Sequence, residues 1–393
     1  MSERKKRVAV LGSTGSIGRN SLAVIESLGE EFEVVSASAH ARWRELAEQA
    51  RRYGLRQVVL TDGAQAGELR AALAGTRTQV RIGPEALGEL AADEQTDIVI
   101  VAVVGAAGLP AVLAATRAGK RVCIANKESL VVGGCLVMPL ARRHGATVLP
   151  VDSEHSAILQ ALHAGGREEV ERVIITCSGG PFREKSAAEL ARVSLADALN
   201  HPTWRMGPKI TIDSATMMNK ALEIIEARWL FDLEAEQIEV LIHPESIIHS
   251  LVEFRDGSVM AQLSAPDMRL PIQYALTYPR RRRGGARRLR LEQLERLTFY
   301  RPDEGRFPAL RLGFEVARQG GTTGAVLNAA NEAAVEAFRG GQIAFTQIAE
   351  LAEHCLQRHQ RMGQPDLEQL LAADRWARAE VERVVQEASV RPA

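Results

Sequence analysis

Along residues 1 to about 150, short β-branched runs alternate with longer stretches in which apolar side chains recur every three or four positions. Strands are predicted at 7–11, 32–39, 57–60, 97–104, 121–125 and 146–150, with helices between them. Such alternation builds an open, doubly wound parallel sheet. The pattern then changes. Short buried strands are expected at 173–176 and 237–243, and 247–254 pairs with 258–263 across Asp256-Gly257, a favoured two-residue turn. Residues 209–213 alternate like a further strand, and 187–199 reads as a polar, helix-like stretch. From about residue 307 the helical period returns over 308–318, 324–338, 345–359 and 367–386, which predicts a small four-helix bundle. The chain is thus expected to be an α/β protein with a Rossmann-like domain at 1–150, a central α+β domain with a lid loop at 151–284, a linker at 285–303 and a helical bundle at 304–393.

Residues 98–115 are nearly all apolar and approach the length of a membrane span. Gly105, Gly108 and Pro110 interrupt them, so a buried strand, a turn and a helix opened by Pro110 fit better. Charge agrees: 49 basic and 49 acidic residues among 393 give no net field for a nucleic acid or a membrane surface. The arginines at 280–283 lack interleaved aromatics and read as a solvated linker. Four cysteines without metal-ligand spacing suit free thiols in a reducing cytosol, and the basic start MSERKKR leads into no apolar signal segment. A soluble, cytoplasmic protein is expected, with no nucleic-acid and no membrane partner.

Chemistry concentrates at the ends of the predicted strands. The first strand runs into Gly12-Ser13-Thr14-Gly15-Ser16-Ile17-Gly18 and then a helix, where glycines let a dinucleotide pyrophosphate approach backbone N–H groups at a helix N-terminus. Thr14, Gly15, Ser16 and Ile17 are the candidate contacts. After the second strand no acid is present to bind a ribose 2'-hydroxyl. Arg42 can pair there with a 2'-phosphate, which favours NADPH over NADH, unless it is simply solvated. Asn126-Lys127-Glu128 follows the fifth strand, and fits either an exposed turn or a lysine that polarises a substrate carbonyl. Asp152 and Glu154, two apart in an extended segment, project to one side and suit a hard cation such as Mg2+ or Mn2+, with Glu223 as a third donor. Ser214 is expected to open an Ala/Met/Leu-rich helix whose first N–H groups form an anion site. Ser214, Asn219 and Lys220 add donors to it, and Glu223 shares their face. A helix cap with a surface ion pair would satisfy the same residues. The loop from Ser178 to Arg183, the polar stretch after it and Trp204 read as a lid over bound substrate, or as a surface loop whose Trp packs.

In order and through nearly the whole chain, these stretches resemble the 1-deoxy-D-xylulose-5-phosphate reductoisomerase family. The matching segments are GSTGSIG at Gly12, VGAAGLP at Val104, ANKESLV at Ala125, VDSEHSAI at Val151, SGGPFR at Ser178, IHPESIIHS at Ile242, PDMRLPIQYAL at Pro266 and LNAANEAAV at Leu327. The resemblance implies NADPH and a divalent metal (Mg2+, Mn2+ or Co2+) as cofactors. It implies rearrangement and reduction of a ketose phosphate, 1-deoxy-D-xylulose 5-phosphate, to 2-C-methyl-D-erythritol 4-phosphate in the non-mevalonate route to isoprenoids, by a homodimer. It assigns the metal to Asp152, Glu154 and Glu223. Lys127, Ser153, Glu154, His201 and Trp204 would touch substrate, Ser178 its phosphate, and Asn126, Glu128 and Gly207 the cofactor, with Met206 in the lid. Lys127, Glu154 and His201 are then the catalytic candidates. Three positions depart from the family pattern: His40-Ala41-Arg42 replaces a Gly-x-Asn type sequence, Cys177 a small Ala, and Thr203 the usual Asn. Asn328 and Asn331 read as residues that cap or bridge backbone, His155 as a packing side chain in preference to a metal ligand, and His249 as either a core histidine or a neighbour of the lid.

Two other functions fit parts of the pattern. A thiol-dependent semialdehyde dehydrogenase would use Cys177 as nucleophile and His201 as base. A non-enzymatic NADP-binding sensor needs only the glycine-rich turn. Neither uses Asp152, Glu154 and Glu223 together.

Overall fold

The computed structural model describes residues 4–200 and 207–390. His201, Trp204 and Met206 lie outside the described residues. In chain order the first part runs β1 (Lys6–Leu11), α1 (Ser16–Ser27), β2 (Phe32–Ala39), α2 (Trp43–Tyr53), β3 (Gln57–Leu60), α3 (Ala66–Ala72), β4 (Gln79–Ile82), α4 (Ala86–Ala92), β5 (Ile98–Val101), α5 (Leu109–Arg117), β6 (Arg121–Ile124), α6 (Glu128–His144), β7 (Thr147–Pro150) and α7 (Ser153–Ala161). It continues with β8 (Val170–Cys177), α8 (Ala187–Leu190), α9 (Leu195–Ala198), α10 (Pro208–Ala215), α11 (Met218–Phe231), β9 (Ile238–Ile242), β10 (Ile248–Phe254), β11 (Val259–Leu263), α12 (Arg269–Thr277), α13 (Ala309–Gln319), α14 (Thr323–Arg339), α15 (Gln347–Arg358) and α16 (Leu367–Val390). The chain divides into two compact units: Met1–Ser129 with Leu136–Ser156 and Ala265–Arg288, and Leu130–Cys135 with Ala157–Ser264 and Leu289–Ala393. The chain leaves the first unit after Ser156, returns to it with α12 and leaves it again after Arg288.

In the first unit seven strands form one parallel sheet in the order β4-β3-β2-β1-β5-β6-β7. Every residue of β5, Ile-Val-Ile-Val, is buried, as a strand covered on both faces requires. The order reverses at β1, so the crevice beyond the carboxyl ends of β1 and β5 is the topological switch point where open α/β sheets bind ligands. The apolar run 98–115 resolves into β5, a tight turn at Gly105–Gly108 and α5 with Pro110 in its first turn. Among the described residues no helix is long and apolar enough to cross a membrane. Helix α6 stops where Gly145 takes φ 65°, with Arg142, Arg143 and His144 at the negative end of its dipole. Strand β4 adds to the strands expected. It is an edge strand with one partner and only two apolar residues, Val80 and Ile82. Arg121 of β6 fastens the α12 segment by donating to the carbonyls of Leu276 (2.7 Å) and Tyr278 (3.0 Å).

The second unit is built on a mixed sheet in the order β11-β10-β8-β9, with β8 parallel to β9 and β10 antiparallel to both its neighbours. The β10–β11 hairpin turns through Arg255-Asp256-Gly257, one residue more than expected. Gly257 takes φ 84°, the Gly257 N–H donates to the Phe254 carbonyl, and the Phe254 N–H donates to the Ser258 carbonyl. The helix-like stretch 187–199 is two single turns, each started by its own capping box, Ser186 with Glu189 and Ser194 with Asp197. Residues 209–213 are not a strand but the body of α10. Gly207 stands at its N-cap and Pro208 in its first turn, and Thr211, Ile212, Asp213 and Ala215 are all buried, so no alternation of faces remains. Helices α13 to α16 are the four predicted. A Cβ on Gly313 would sit 2.7 Å from the Ala221 Cα, so a glycine there lets α13 close on α11. Helix α14 buries Val326, Leu327, Val335 and Phe338 at about 1.5–3 kcal/mol each.

Candidate active site

At the switch point of the first unit the glycine-rich turn joins β1 to α1. Gly12 takes φ 81°, and a Cβ there would lie 2.4 Å from the Ala102 carbonyl oxygen at the end of β5. A Cβ on Gly18 would lie 2.3 Å from the Gly12 carbonyl oxygen, so α1 starts directly against the turn. The first turn of α1 carries no acid, which leaves its N–H groups open to an anion. The turn is pinned to β2 and α2: Ser38 Oγ accepts from Gly12 N–H at 3.0 Å, and Ser13 Oγ donates to Gln49 Oε1 at 2.5 Å. Arg42 is exposed and donates to the Thr14 carbonyl at 2.7 Å, which puts a guanidinium on the outer lip of the turn. The acid nearest in sequence, Glu45, is held by Arg19 at 2.6 and 2.7 Å. Asn126 is buried and donates to the Gly105 carbonyl and to Ser129 Oγ, while its Oδ1 has no hydrogen-bond partner among the described residues. That buried acceptor and the Cβ-free cradle fit a dinucleotide.

Strand β7 delivers Asp152. Its Oδ2 receives the Lys127 ammonium at 2.9 Å, and its Oδ1 accepts from the Glu154 N–H at 3.1 Å and lies 3.3 Å from His155 Nδ1. Burial works to raise the Asp152 carboxyl, but Lys127 foremost, then His155, hold it well below the usual carboxylate range. The extended geometry expected for Asp152-Ser153-Glu154 is absent. Ser153 and Glu154 form the first turn of α7 and Asp152 stands before it with its side chain on the Glu154 N–H, as a helix cap does. Asp152 and Glu154 still present carboxylate oxygens within 4.8 Å of each other, and Ser153 Oγ donates to Glu154 Oε2 at 2.6 Å. His155 is fully buried, as a packing residue would be, and its Nδ1 also faces Asp152.

The second unit assembles its own cluster. After β8, Gly179 and Gly180 take φ 84° and 68°, and a Cβ on Gly180 would lie 2.5 Å from the Ser214 carbonyl oxygen. Only glycine lets the Ser178 loop lie against the end of α10. Contrary to expectation, Ser214 does not open a helix. It sits in the last turn of α10, and Met217 at φ 63° breaks the path before α11 begins. Helix α11 opens after that break instead, with Asn219 and Lys220 in its first turn, where the Met218 N–H donates to Thr216 Oγ1 and the Lys220 N–H to the Met217 carbonyl. Lys220 Nζ donates to the Thr176 carbonyl at 2.6 Å and pairs with Glu223, and Asn219 Nδ2 donates to Glu223 Oε1 at 2.5 Å. The shared face of Asn219, Lys220 and Glu223 is as its spacing required, but the pair is buried, with Glu223 at 1% exposure, and is no surface ion pair. Hydroxyl, amide and ammonium donors in one cluster suit a phosphate. Gly207, at the N-cap of α10, is exposed.

Some participants carry no sequence signal. Asn331 does not bridge backbone. Its Nδ2 donates to Asp213 Oδ1 at 2.9 Å, and Lys209 Nζ lies 2.6 Å from Asp213 Oδ2. Neither the partner of Asp213, 118 residues away, nor the seat of Lys220 on Thr176 can be read from local spacing.

Three family models match in chain order: 1-deoxy-D-xylulose 5-phosphate reductoisomerase over residues 8–134, its C-terminal domain over 148–231, and the DXP reductoisomerase C-terminal domain over 263–380. The reductoisomerase of Pelotomaculum thermopropionicum is 51% identical over 374 residues, covering 95% of this chain and 97% of that protein. That of Chloroherpeton thalassium is 49% identical over 373 residues, covering 95% and 96%. The structure of the Zymomonas mobilis reductoisomerase in complex with NADPH is similar with a TM-score of 0.92 and 44% identity, over 98% of this chain and 100% of that one. A DOX-P reductoisomerase in complex with NADPH, fosmidomycin and magnesium is similar with a TM-score of 0.93 and 40% identity, again over 98% and 100%.

Proposed function

The chain belongs to the 1-deoxy-D-xylulose 5-phosphate reductoisomerase family, and we propose that it rearranges and reduces 1-deoxy-D-xylulose 5-phosphate to 2-C-methyl-D-erythritol 4-phosphate, using NADPH and a divalent cation, in isoprenoid biosynthesis by the non-mevalonate route. The observation that carries this reading is 51% identity to such an enzyme over 95% of the chain and 97% of that enzyme. Asp152, Glu154 and Glu223 are the cation's ligands. Their donors are hard anionic oxygens, the chemistry Mg2+ or Mn2+ selects. Once bound, the cation supplies Lewis acidity toward the substrate's oxygens.

The chain's own residues do the rest. Lys127, paired with Asp152, offers its ammonium as a hydrogen-bond donor to a substrate oxygen, where developing negative charge is stabilised without reorganisation. Ser153 and Glu154 contact the sugar, and the Ser153 hydroxyl orients the Glu154 carboxylate. Ser178, Ser214, Asn219 and Lys220 grip the phosphate, a remote handle whose binding energy is spent on orienting the reacting end. Glu223 also faces substrate. Thr14, Gly15, Ser16, Ile17, Asn126, Glu128 and Gly207 bind NADPH, the hydride donor, and Arg42 takes its 2'-phosphate. His201 and Trp204 complete the substrate contacts.

The chain works as a homodimer in the cytoplasm. Edge strand β11 exposes Val259, Met260 and Leu263 along an unpaired ladder, which an equivalent strand can cover. None of the four cysteines is in a disulfide, as suits a reducing compartment. The test is to incubate the purified chain with 1-deoxy-D-xylulose 5-phosphate, NADPH and Mg2+ and identify the product by NMR. The methylerythritol phosphate is expected, and unchanged substrate would refute the assignment.

A further inference from the structure

We infer that Asn331 is a positioning residue for the phosphate subsite: by holding Asp213 it fixes the end of α10, and with it Ser214. This rests on the phosphate reading of Ser178, Ser214, Asn219 and Lys220 given above.

Asp213 is 1% exposed and its two carboxylate oxygens have different partners. Lys209 Nζ, 2.6 Å from Oδ2, comes from the same helix one turn back, so this bridge lies within α10. Asn331 Nδ2, 2.9 Å from Oδ1, comes from α14 and does. Asn331 is wholly buried, and its Oδ1 has no hydrogen-bond partner among the described residues, so its amide serves Asp213. The joint between α10 and α11 explains why such a tie matters. Met217 at φ 63° interrupts the helical path, so the placement of α11 does not dictate that of α10. Helix α11 has its own anchors in the Lys220–Thr176 bond and its packing against α13 at Gly313. Helix α10 carries Ser214, the residue after Asp213, and is held on one side by the close approach of Gly180 to the Ser214 carbonyl. The Asn331–Asp213 bond supplies the hold from α14. Phosphate donors on two helices then stay in register only while both helices are tied down. A bond to a buried charged group is strong enough to do this, and its loss leaves the carboxylate short of a partner.

The test compares Asn331→Leu, which keeps the branching at Cγ and removes the donor, with wild type. Measured are KM for 1-deoxy-D-xylulose 5-phosphate, kcat, inhibition by inorganic phosphate, the NADPH dissociation constant and Tm. The expected result is an increase of about tenfold in both KM and the phosphate inhibition constant, with kcat and the NADPH constant within about threefold of wild type. A general packing defect would shift Tm and NADPH binding as well. A second pair keeps the inference testable if Asn331→Leu does not fold. Asn331→Asp sets two carboxylates against each other and should weaken phosphate inhibition, and adding Asp213→Asn restores a donor to the pair and should bring it back. Ser214→Ala serves as the control for the underlying reading. If Ser214→Ala weakens phosphate inhibition while Asn331→Leu, or the Asp/Asn exchange, leaves it untouched, the inference is wrong and the subsite stands. If Ser214→Ala has no effect either, the phosphate assignment itself falls.

Discussion

Lys127, buried, and Asp152, partly buried, form an ion pair, their charged atoms 2.9 Å apart and their side chains 7% and 14% exposed. Removing one partner of such a pair strands the other charge, at a cost of about 3 kcal/mol. Lys127→Met should therefore lower stability by about that amount and cut turnover by about a hundredfold or more. Lys127→Arg keeps the charge and should preserve stability, yet not turnover, because the fork of a guanidinium cannot occupy the site of one ammonium. Urea unfolding and steady-state kinetics on both variants check this, and a fully active Lys127→Met would remove the residue from the chemistry.

Gly18→Ala should act on the cofactor alone. The added Cβ would lie 2.3 Å from the Gly12 carbonyl oxygen and 2.5 Å from the Ser13 Cα, both backbone atoms that cannot move without opening the turn. An increase of about tenfold or more in KM for NADPH is expected, with KM for the sugar phosphate little changed. Equal effects on both constants would argue against a cofactor role for this turn.

Most of the sheet is legible in the sequence because its strands are short β-branched runs bounded by turn residues, and the glycine turn because its chemistry depends on local spacing. Expectation and structure part where local pattern is ambiguous or silent. Lys-Ile-Thr-Ile-Asp alternates over five residues, too few to distinguish a strand from a helix buried on several sides, and Pro208 in a first turn is the better clue. The left-handed Met217 has no glycine to announce it, so the sequence reads as a helix opening at Ser214, whereas Ser214 lies in the last turn of α10 and α11 opens after Met217. The Asp152-Ser153-Glu154 triplet looks extended because it follows a strand, whereas Asp152 is a helix cap, a role that aspartate fills routinely. Strand β4 offers two apolar residues, and the return of α12 to the first unit depends on Arg121 meeting the carbonyls of Leu276 and Tyr278, a contact between positions 155 and 157 residues apart. Asn331 meets Asp213 for the same reason, by tertiary placement alone.

Arg42 should set the choice of nicotinamide. Its guanidinium lies on the Thr14 carbonyl at 2.7 Å, and no acid stands at the end of β2 to favour a ribose hydroxyl. Arg42→Ala should reduce the preference for NADPH over NADH in kcat/KM by about tenfold, mainly through a higher KM for NADPH. An unchanged ratio would leave Arg42 as a structural prop for the turn.

Acid sensitivity should originate partly in the C-terminal helices. Glu380 accepts from Arg383 at 2.8 and 2.9 Å and lies 2.8 Å from His354 Nε2. Arg383 foremost, against burial and with help from His354, lowers its carboxyl from the ordinary 4.5 to about 2. A carboxylate with a folded pKa below its unfolded one stabilises fully above about pH 4.5 and loses that contribution as pH falls toward 2. Exposure of Arg383, at 44%, keeps the effect modest. Between neutral pH and about pH 3, wild type should lose more Tm than Glu380→Gln, which has no such charge to lose. Equal losses would place the acid sensitivity elsewhere.

Asp152, Glu154 and Glu223 are proposed to hold a divalent cation without which NADPH cannot reduce the rearranged sugar. The most direct measurement follows NADPH absorbance after 1-deoxy-D-xylulose 5-phosphate is added to the purified chain, first with EDTA and then with excess Mg2+ restored. NADPH should persist under EDTA and be consumed once Mg2+ returns. Consumption at the same rate under EDTA, or none after Mg2+ is restored, would contradict the account.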